Sequence, residues 1–312
     1  MRALLVVVLL ALLALPGSTV LAHPGQPPAP HDLWGLWNWE PGLLAGVGLA
    51  AGIYLRGVTR LWRSAGAGRG ISRRQALSFF AGLAALAAAL ITPLDALAGV
   101  LLSAHMLQHL LLLLAAPPLL LLGSPLLAFT WALPRSTRLR LGGWQHRQPR
   151  ITSALRLLSA PAAAWALHAA ALLSWHLPLL YQVALQNEAA HALEHACFLG
   201  TALLFWRPLV ETGKSGGIRS GLGVFYLFTT LLYSGVLAAL LTFSRQLWYP
   251  AYATSTAAWG LAPLEDQQLA GALMWAPGSL VYTLTILLLM WRWLEAMDGK
   301  RGRQVKQREG GI

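Results

Sequence analysis

The sequence predicts an all-α polytopic membrane protein, a bundle of about seven transmembrane helices that follows an N-terminal signal peptide. Of its 312 residues, 56% are hydrophobic and only 11% are charged, and the mean hydropathy is +0.57. Apolar stretches of about 20 residues recur along the chain, and basic residues cluster between them. A soluble globule needs more polar surface than this composition provides, so lipid must solvate the chain.

Residues 1–22 have the pattern of a secretory signal peptide. Arg2 is followed by an apolar run over residues 3–15 and by a small-residue cleavage site that ends at Ala22. Because the run is short for a full span, we predict cleavage after Ala22, with an uncleaved first anchor as the alternative. Residues 23–41 are rich in Pro and Trp, and we expect them to form an extracytoplasmic N-terminal arm.

Seven later stretches are long and apolar enough to be predicted as spans. They cover residues 42–61, 75–92, 97–116, 160–181, 189–206, 221–243 and 269–293. Together they predict a seven-helix transmembrane domain over residues 42–294, followed by a basic cytoplasmic tail at 295–312. The sequence predicts no separate soluble domain.

The third of these stretches stays apolar beyond its predicted end. Residues 97–131 as one helix would be about 50 Å long, against a hydrocarbon core of about 30 Å. Pro117 and Pro118 also interrupt the helical pattern. Two crossings here would separate the arginines at 135–156 from the other basic residues, so we predict one crossing followed by an interfacial or re-entrant piece.

With that choice, 21 of the 23 Lys and Arg residues lie on one side of the membrane. They occupy residues 56–74, 135–156, 207–219 and 292–308. The positive-inside rule places this side in the cytoplasm, which predicts a bacterial inner-membrane protein with its N-terminus outside and its C-terminus cytoplasmic. Membrane topology also accounts for the net charge of +12 without a nucleic-acid partner.

Six of the nine histidines fall within predicted spans, where ionisable side chains are costly and face the bundle interior. His105 and His109 are four residues apart, and His191 and His195 repeat this spacing with Glu194 beside them. This spacing puts both imidazoles of a pair on one helix face, in chelating geometry. A single intramembrane histidine is ordinarily a hydrogen-bonded packing residue, but two pairs on separate spans favour a metal site.

The predicted topology concentrates these histidines in the outer half of the membrane. Imidazole suits copper, iron, zinc and nickel, and a nearby thioether would favour Cu(I). The candidate metal ligands are therefore His105, His109, His176, His191 and His195, with Glu194 and Met106. These residue types alone do not select copper over haem iron.

Other interpretations of the same residues remain open. Residues 191–195 match the H-x-x-E-H pattern of inverted zinc peptidases, but such an enzyme needs a further ligand and a substrate cleft, so we predict no enzymatic activity. His23, the N-terminal residue after cleavage, would chelate copper or belong to a disordered arm. A haem-binding electron-transfer protein and a metal permease are the alternative function classes.

Several longer motifs resemble the CtaG family of caa3-type cytochrome c oxidase assembly proteins. The resemblance runs from about Trp34 to Trp293. It rests on His105–His109 with Ala116-Pro117-Pro118 and Gly123–Pro125, on His191–His195 with Phe205–Pro208, on Leu241–Ser244 with Tyr249–Tyr252, and on Pro263–Gly271 with Met274–Gly278. Arg207 departs from the pattern, because the resemblance implies a second Trp at this position. We interpret this departure as one that bears on interface anchoring rather than on the site.

This resemblance implies a membrane protein needed to make an active haem-copper oxidase. It implies that the protein helps to deliver copper from the outer side, with cytochrome c oxidase subunits or another copper carrier as partners. The histidine pairs would supply a compatible copper site.

Overall fold

The computed structural model describes residues 29–212 and 217–309, and all regular structure in this part of the chain is helical. The predicted signal peptide at residues 1–22 and His23 lie outside the described residues. The predicted domain boundaries therefore stay predictions.

Thirteen α-helices are numbered here in chain order. The first seven are α1 (Pro41–Ala65), α2 (Arg73–Leu90), α3 (Pro93–Ala98), α4 (Leu102–Leu110), α5 (Ala116–Leu122), α6 (Pro125–Ala132) and α7 (Arg135–Arg147). The others are α8 (Pro149–Leu158), α9 (Pro161–Trp175), α10 (Pro178–Gln186), α11 (Glu188–Val210), α12 (Ser220–Thr242) and α13 (Pro263–Glu309). Short 3₁₀ turns lie at Pro30–Gly35, Pro250–Tyr252 and Thr256–Trp259.

Within the described residues, four helical segments are long and apolar enough to cross a membrane. They are Pro41–Ala65, Leu102–Leu122, Ser220–Thr242 and Pro263–Met297. A fifth is formed if α8 and α9, which are bent by 63° at their junction, act as one broken span. The prediction of a helical protein with several membrane-spanning segments is confirmed, whereas its count of seven is not.

Two predicted spans account for the difference. The stretches at 75–92 and 189–206 are indeed helical, as α2 and α11. However, α2 begins with two arginines and a glutamine, and α11 contains two histidines, two glutamates and an arginine. These polar residues lower the mean hydropathy of both helices, so composition alone does not assign α2 and α11 as membrane spans.

The third stretch continues past its predicted end at residue 116. Between α4 and α5, residues Leu111–Ala115 form a π-helical turn in which the N–H of Ala116 bonds to the carbonyl of Leu111. In a regular α-helix the N–H of residue 117 would donate to the carbonyl of Leu113, but Pro117 has no N–H. The indole N–H of Trp206 donates to this carbonyl instead, at 2.9 Å. The prolines therefore loosen this helix without ending it.

After α5 the chain continues along α1. The Tyr54 hydroxyl donates to Gly123 O at 2.7 Å, and Arg60 Nη1 donates to Ala132 O at 2.7 Å. Between them, a Cβ on Gly57 would lie 1.8 Å from Ala128 O, so only glycine allows this approach. Residue numbers rise together in both helices, so α6 runs parallel to α1 and does not turn back. This path fits the single crossing that the sequence predicts.

The last helix is longer than its predicted span. The stretch predicted at 269–293 lies inside α13, which begins at Pro263 and continues as helix through the predicted tail to Glu309. Towards its beginning α13 packs closely on α12, where a Cβ on Gly271 would lie 2.6 Å from the backbone nitrogen of Thr242. This packing brings the first turns of α13 against α4, the helix that carries the first histidine pair.

Candidate metal site

The first histidine pair lies on α4 and is almost completely buried. His105 is 1% exposed and His109 is 2% exposed. Their Nε2 atoms are 2.8 Å apart, and their ring centroids are 4.2 Å apart in an edge-to-face arrangement. One helix face therefore presents two imidazole nitrogens to the same point.

The second pair, on α11, faces the first. The ring centroids of His191 and His195 are 4.2 Å apart. The ring of His191 lies 5.5 Å from that of His105, and the ring of His195 lies 5.7 Å from that of His109. His191 and His195 are half-buried, so they form the more accessible side of the cluster. Four imidazoles from two helices thus converge on one volume.

Glu194 places a carboxylate at the same point. Its side chain is fully buried, with Oε1 3.7 Å from Nε2 of His109 and Oε2 3.9 Å from Nε2 of His105. These distances are too long for hydrogen bonds, and neither oxygen has a hydrogen-bond partner among the described residues. A buried carboxylate without partners is costly, and a bound cation would remove that cost.

The spacing of these donors suits a metal ion. The ligand atoms of His105, His109 and His195 lie within 4.8 Å of one another, and so do those of His105, His191 and Glu194. In the described part of the chain, Nε2 of His191 and Nε2 of His195 have no hydrogen-bond partner. We call these five residues, His105, His109, His191, Glu194 and His195, the histidine cluster. Imidazole nitrogen with one carboxylate oxygen is a donor set for copper or zinc.

The remaining two candidates, His176 and Met106, lie to one side of the histidine cluster. The His176 ring is 6.0 Å from that of His109 and does not join either ligand group. Met106 is fully buried and packs among aromatic side chains that include Tyr181 and Tyr252. Both residues line a cavity that also borders His109.

The model of the cytochrome c oxidase caa3 assembly factor family, Caa3_CtaG, matches residues 52–296. The chain belongs to this family. The matched region contains the whole histidine cluster and the cavity beside it, and the family is the one that the sequence motifs indicated. No curated protein and no solved structure gave a significant match.

In this Caa3_CtaG family member, a tyrosine pair orients the first histidine. Nδ1 of His105 lies 3.3 Å from Ala98 O and 3.3 Å from the Tyr252 hydroxyl, which itself donates to Ala98 O at 2.9 Å. The Tyr181 hydroxyl is 2.8 Å from that of Tyr252. A carbonyl only accepts, so the contact with Ala98 requires the proton on Nδ1 and leaves the lone pair on Nε2, which accepts from Nε2 of His109 in the ion-free protein and would bind an ion in its place.

Sequence reasoning missed the role of Asp266. This fully buried residue of α13 accepts hydrogen bonds from the backbone N–H groups of Leu102, at 2.6 Å, and Ser103, at 3.2 Å. These are the first N–H groups of α4, which has no cap of its own, and they lie one turn before His105. In the sequence, Asp266 has the position of a residue that caps its own helix, α13. Nothing in the neighbouring sequence indicates that it caps α4.

A second contact that the sequence did not predict fixes the Gln108 side chain of α4. The Gln108 amide donates to Ala89 O at 2.9 Å and to Asp95 Oδ1 at 2.7 Å, while Asn38 donates to Asp95 Oδ2 at 2.9 Å. Burial raises the pKa of the Asp95 carboxyl, against the lowering effect of these hydrogen bonds. The only indication of this contact in the sequence was Gln108 itself, a polar residue between His105 and His109 in an apolar stretch.

Arg207, the residue that departs from the family pattern, lies inside the helix bundle. The Caa3_CtaG chain buries this side chain, which is 7% exposed, and its Nη2 donates to Ser159 O at 2.6 Å. Glu211 lies 3.6 Å from Nη1 of the same side chain. Because Ser159 lies at the junction of α8 and α9, Arg207 holds the bend between these helices.

Proposed function

We propose that this assembly factor binds copper in the histidine cluster and passes it to cytochrome c oxidase, without catalysing a reaction. The observation that carries the proposal is the convergence of four imidazoles and one carboxylate in a buried volume. Four of their donor atoms have no hydrogen-bond partner among the described residues: His191 Nε2, His195 Nε2 and both oxygens of Glu194.

Burial makes a cation the best occupant of this volume. Unpaired polar atoms inside a helix bundle cost free energy because neither water nor protein satisfies them. A proton shared by the cluster would satisfy one donor pair, whereas a metal ion can satisfy three or four donors together. The bare carboxylate of Glu194 also supplies one negative charge to offset that of the ion.

The choice of copper rests on the family and on the chemistry of the donors. Imidazole nitrogen binds copper strongly but binds zinc as well, so donor type alone does not decide. Copper is therefore the cargo that we propose for this assembly factor of a haem-copper oxidase. Copper would be handed over, so the ion is a substrate of this protein and not a resident cofactor.

The exposure of the cluster suggests the direction of entry. His105, His109 and Glu194 are buried, whereas His191 and His195 are half-buried. Under the predicted topology, the second pair also lies nearest the outer surface. We therefore propose that copper arrives from the outer side of the membrane, either directly from that compartment or from another copper carrier.

The contacts within the cluster do not favour a haem. A haem iron held between two imidazoles requires its two Fe–N bonds to fit between the ligand nitrogens. The Nε2 atoms of His105 and His109, on one helix, are only 2.8 Å apart, which is too close for that arrangement. Between one histidine of α4 and one of α11, the porphyrin would need the space that the Glu194 carboxylate occupies, 3.7 Å from Nε2 of His109. A Soret band in the purified protein would overturn this argument.

Metal analysis of the purified full-length protein tests the proposal. We expect copper to co-purify with the wild type from copper-supplemented cells and to be reduced in the double variant His105→Ala/His195→Ala. The matched control is His31→Ala, because the His31 side chain is 76% exposed and lies outside the cluster. Equal copper in the double variant and the wild type would overturn the assignment.

A deletion strain tests the role in the cell. We expect the oxidase protein to reach the membrane without its copper when this gene is absent. Expression of the His31→Ala variant should restore copper loading, and expression of the double variant should not. A fully copper-loaded, active oxidase in the deletion strain would contradict the proposed function.

A further inference from the structure

A cavity lies beside the histidine cluster, and His109 borders both. The surface around it is mostly apolar, but seven residues have side chains with N, O or S atoms: Met106, His109, His168, His176, Ser234, Met274 and Tyr282. Three of these are histidines and two are methionines. An apolar cavity with a few convergent donor atoms is the usual form of a binding site.

His109 presents one ring nitrogen to each volume. Its Nε2 lies 2.8 Å from Nε2 of His105, inside the histidine cluster. Its Nδ1 is buried and has no hydrogen-bond partner within the described residues. The two nitrogens of an imidazole point in diverging directions, so a ring that directs Nε2 at the cluster directs Nδ1 away from it.

His176 offers a second free nitrogen at the cavity. Its Nδ1 lies 2.7 Å from Leu172 O, and since a carbonyl only accepts, the proton is on Nδ1. Its Nε2 therefore carries the lone pair, and it is buried without a partner in the part of the chain described. The Tyr249 hydroxyl donates to the backbone carbonyl of His176 at 2.7 Å and fixes its position. The rings of His176 and His109 are 6.0 Å apart.

The other lining residues set the chemistry of this volume. Met106 and Met274 supply thioether sulfur, a soft ligand that prefers Cu(I) to zinc or Cu(II). His168 is less suited as a ligand, because its ring stacks on Phe205 at 4.5 Å and its Nδ1 faces the Thr201 hydroxyl at 3.4 Å. The nitrogen and sulfur donors left for an ion are two imidazole nitrogens and thioether sulfur, whereas the hydroxyl oxygens of Ser234 and Tyr282 are hard ligands that suit Cu(I) poorly.

We propose that the cavity is a second ion position, which takes Cu(I) from the histidine cluster through the shared residue His109. Its ligands are Nδ1 of His109, Nε2 of His176 and the sulfur of Met106 or Met274. This inference rests on the proposed function, and it divides the candidate ligands into a nitrogen and carboxylate position and a nitrogen and sulfur position.

The shared imidazole links the two positions. A neutral imidazole has one free lone pair, so His109 serves the cluster when its proton is on Nδ1 and the cavity when its proton is on Nε2. The cluster keeps His105, His191, His195 and Glu194 when His109 serves the cavity, so both positions can be filled together. Copper enters and leaves as Cu(I), and no electron is transferred.

Binding stoichiometry of the full-length protein in detergent tests the second position. Anaerobic titration with Cu(I), and with Ag(I) as a soft ion that keeps its oxidation state, should give two equivalents for the wild type. The variant His176→Ala and the double variant Met106→Leu/Met274→Leu should each bind one. His105→Ala/His195→Ala should lose the other equivalent. Met290→Leu is the matched control, because Met290 lies on the same helix as Met274 and is 40% exposed.

X-ray absorption at the copper edge provides a second measurement, whose wild-type spectrum does not depend on variant folding. We expect sulfur beside copper in the fully loaded wild type, lost in Met106→Leu/Met274→Leu and kept in Met290→Leu. One equivalent in the wild type, bound by nitrogen and oxygen only and lost in His105→Ala/His195→Ala, would overturn the second position and leave the proposed function intact. No binding by the wild type would overturn both.

Discussion

The carboxylate of Glu194 lies 3.7 Å from Nε2 of His109, across the interface of α11 and α4, and neither of its oxygens has a hydrogen-bond partner among the described residues. A fully buried carboxylate in this state destabilises the ion-free protein. The same free oxygens make Glu194 the anionic ligand of the histidine cluster. Glu194 therefore lowers the stability of the ion-free protein and strengthens the proposed binding of a metal ion.

This opposition gives the first prediction. The substitution Glu194→Gln should weaken Cu(I) binding by at least about tenfold, because it removes the charge that offsets the ion. The thermal stability of the ion-free protein should stay equal or rise, because a neutral amide costs less to bury. Competition with a Cu(I) chelator measures the affinity, and thermal unfolding in detergent measures the stability.

The control for this prediction is Glu188→Gln, an exposed position at the start of the same helix. It should leave Cu(I) affinity unchanged. An unaltered affinity in Glu194→Gln would mean that the carboxylate takes no part in ion binding.

The second prediction concerns Asp266, a positioning residue that does not touch the ion. Asp266→Ala leaves the first N–H groups of α4 uncapped in a buried setting, which should cost about 1–3 kcal/mol of stability. Cu(I) affinity should fall because His105 lies one turn away, while the X-ray absorption spectrum of bound copper keeps the wild-type ligand set. Chemical unfolding and Cu(I) competition together measure these effects.

Glu265→Ala is the matched control for Asp266. Glu265 accepts a hydrogen bond from Ala262 N at 3.0 Å, within the turn that starts α13, and does not reach α4. Its loss should leave Cu(I) affinity unchanged. Equal effects of the two substitutions would show that Asp266 acts only on its own helix.

The third prediction addresses the proline-interrupted span. Trp206→Phe removes the N–H that donates to Leu113 O, and a buried carbonyl without a partner should cost about 1–3 kcal/mol. Trp293→Phe, at an indole that is 45% exposed, should cost much less. Unfolding measured by the loss of helical circular dichroism compares the two, and an equal loss in both would contradict the bond.

The fourth prediction tests the close approach of α6 to α1. Gly57→Ala puts a Cβ 1.8 Å from Ala128 O, a backbone atom that cannot move aside cheaply, so we expect a loss of about 1–3 kcal/mol and poor accumulation in membranes. Gly48→Ala on the same helix has open space and should be tolerated. Detergent-extracted yield and unfolding temperature measure both, and a stable Gly57→Ala protein would disprove this packing.

Much of this structure could be predicted from local patterns. The helical class follows from apolar stretches whose length matches a bilayer. The placement of His105 and His109 on one face follows from their spacing, because residues four apart share a face of any α-helix. The family could be predicted because its motifs are longer than chance patterns. The metal, the topology and the cleaved signal peptide stay predictions.

Other features required tertiary structure, for identifiable reasons. The number of spans depends on α2 and α11, whose polar residues leave their composition ambiguous until their neighbours are known. The end of the third stretch depends on Trp206, which satisfies a carbonyl that Pro117 would otherwise leave free. The separation of His176 and Met106 from the histidine cluster depends on how α4, α9 and α13 pack.

The sequence by itself determined the helices, the face of each helix on which its histidines lie and the family of the chain. Only the tertiary structure decided that the two pairs meet around Glu194, that Asp266 caps the helix of His105 and that His109 lies between two volumes. The physical reason is the range of the interactions. Helical periodicity acts over a few residues, whereas these contacts join helices that are distant in the chain and depend on the packing of the whole bundle.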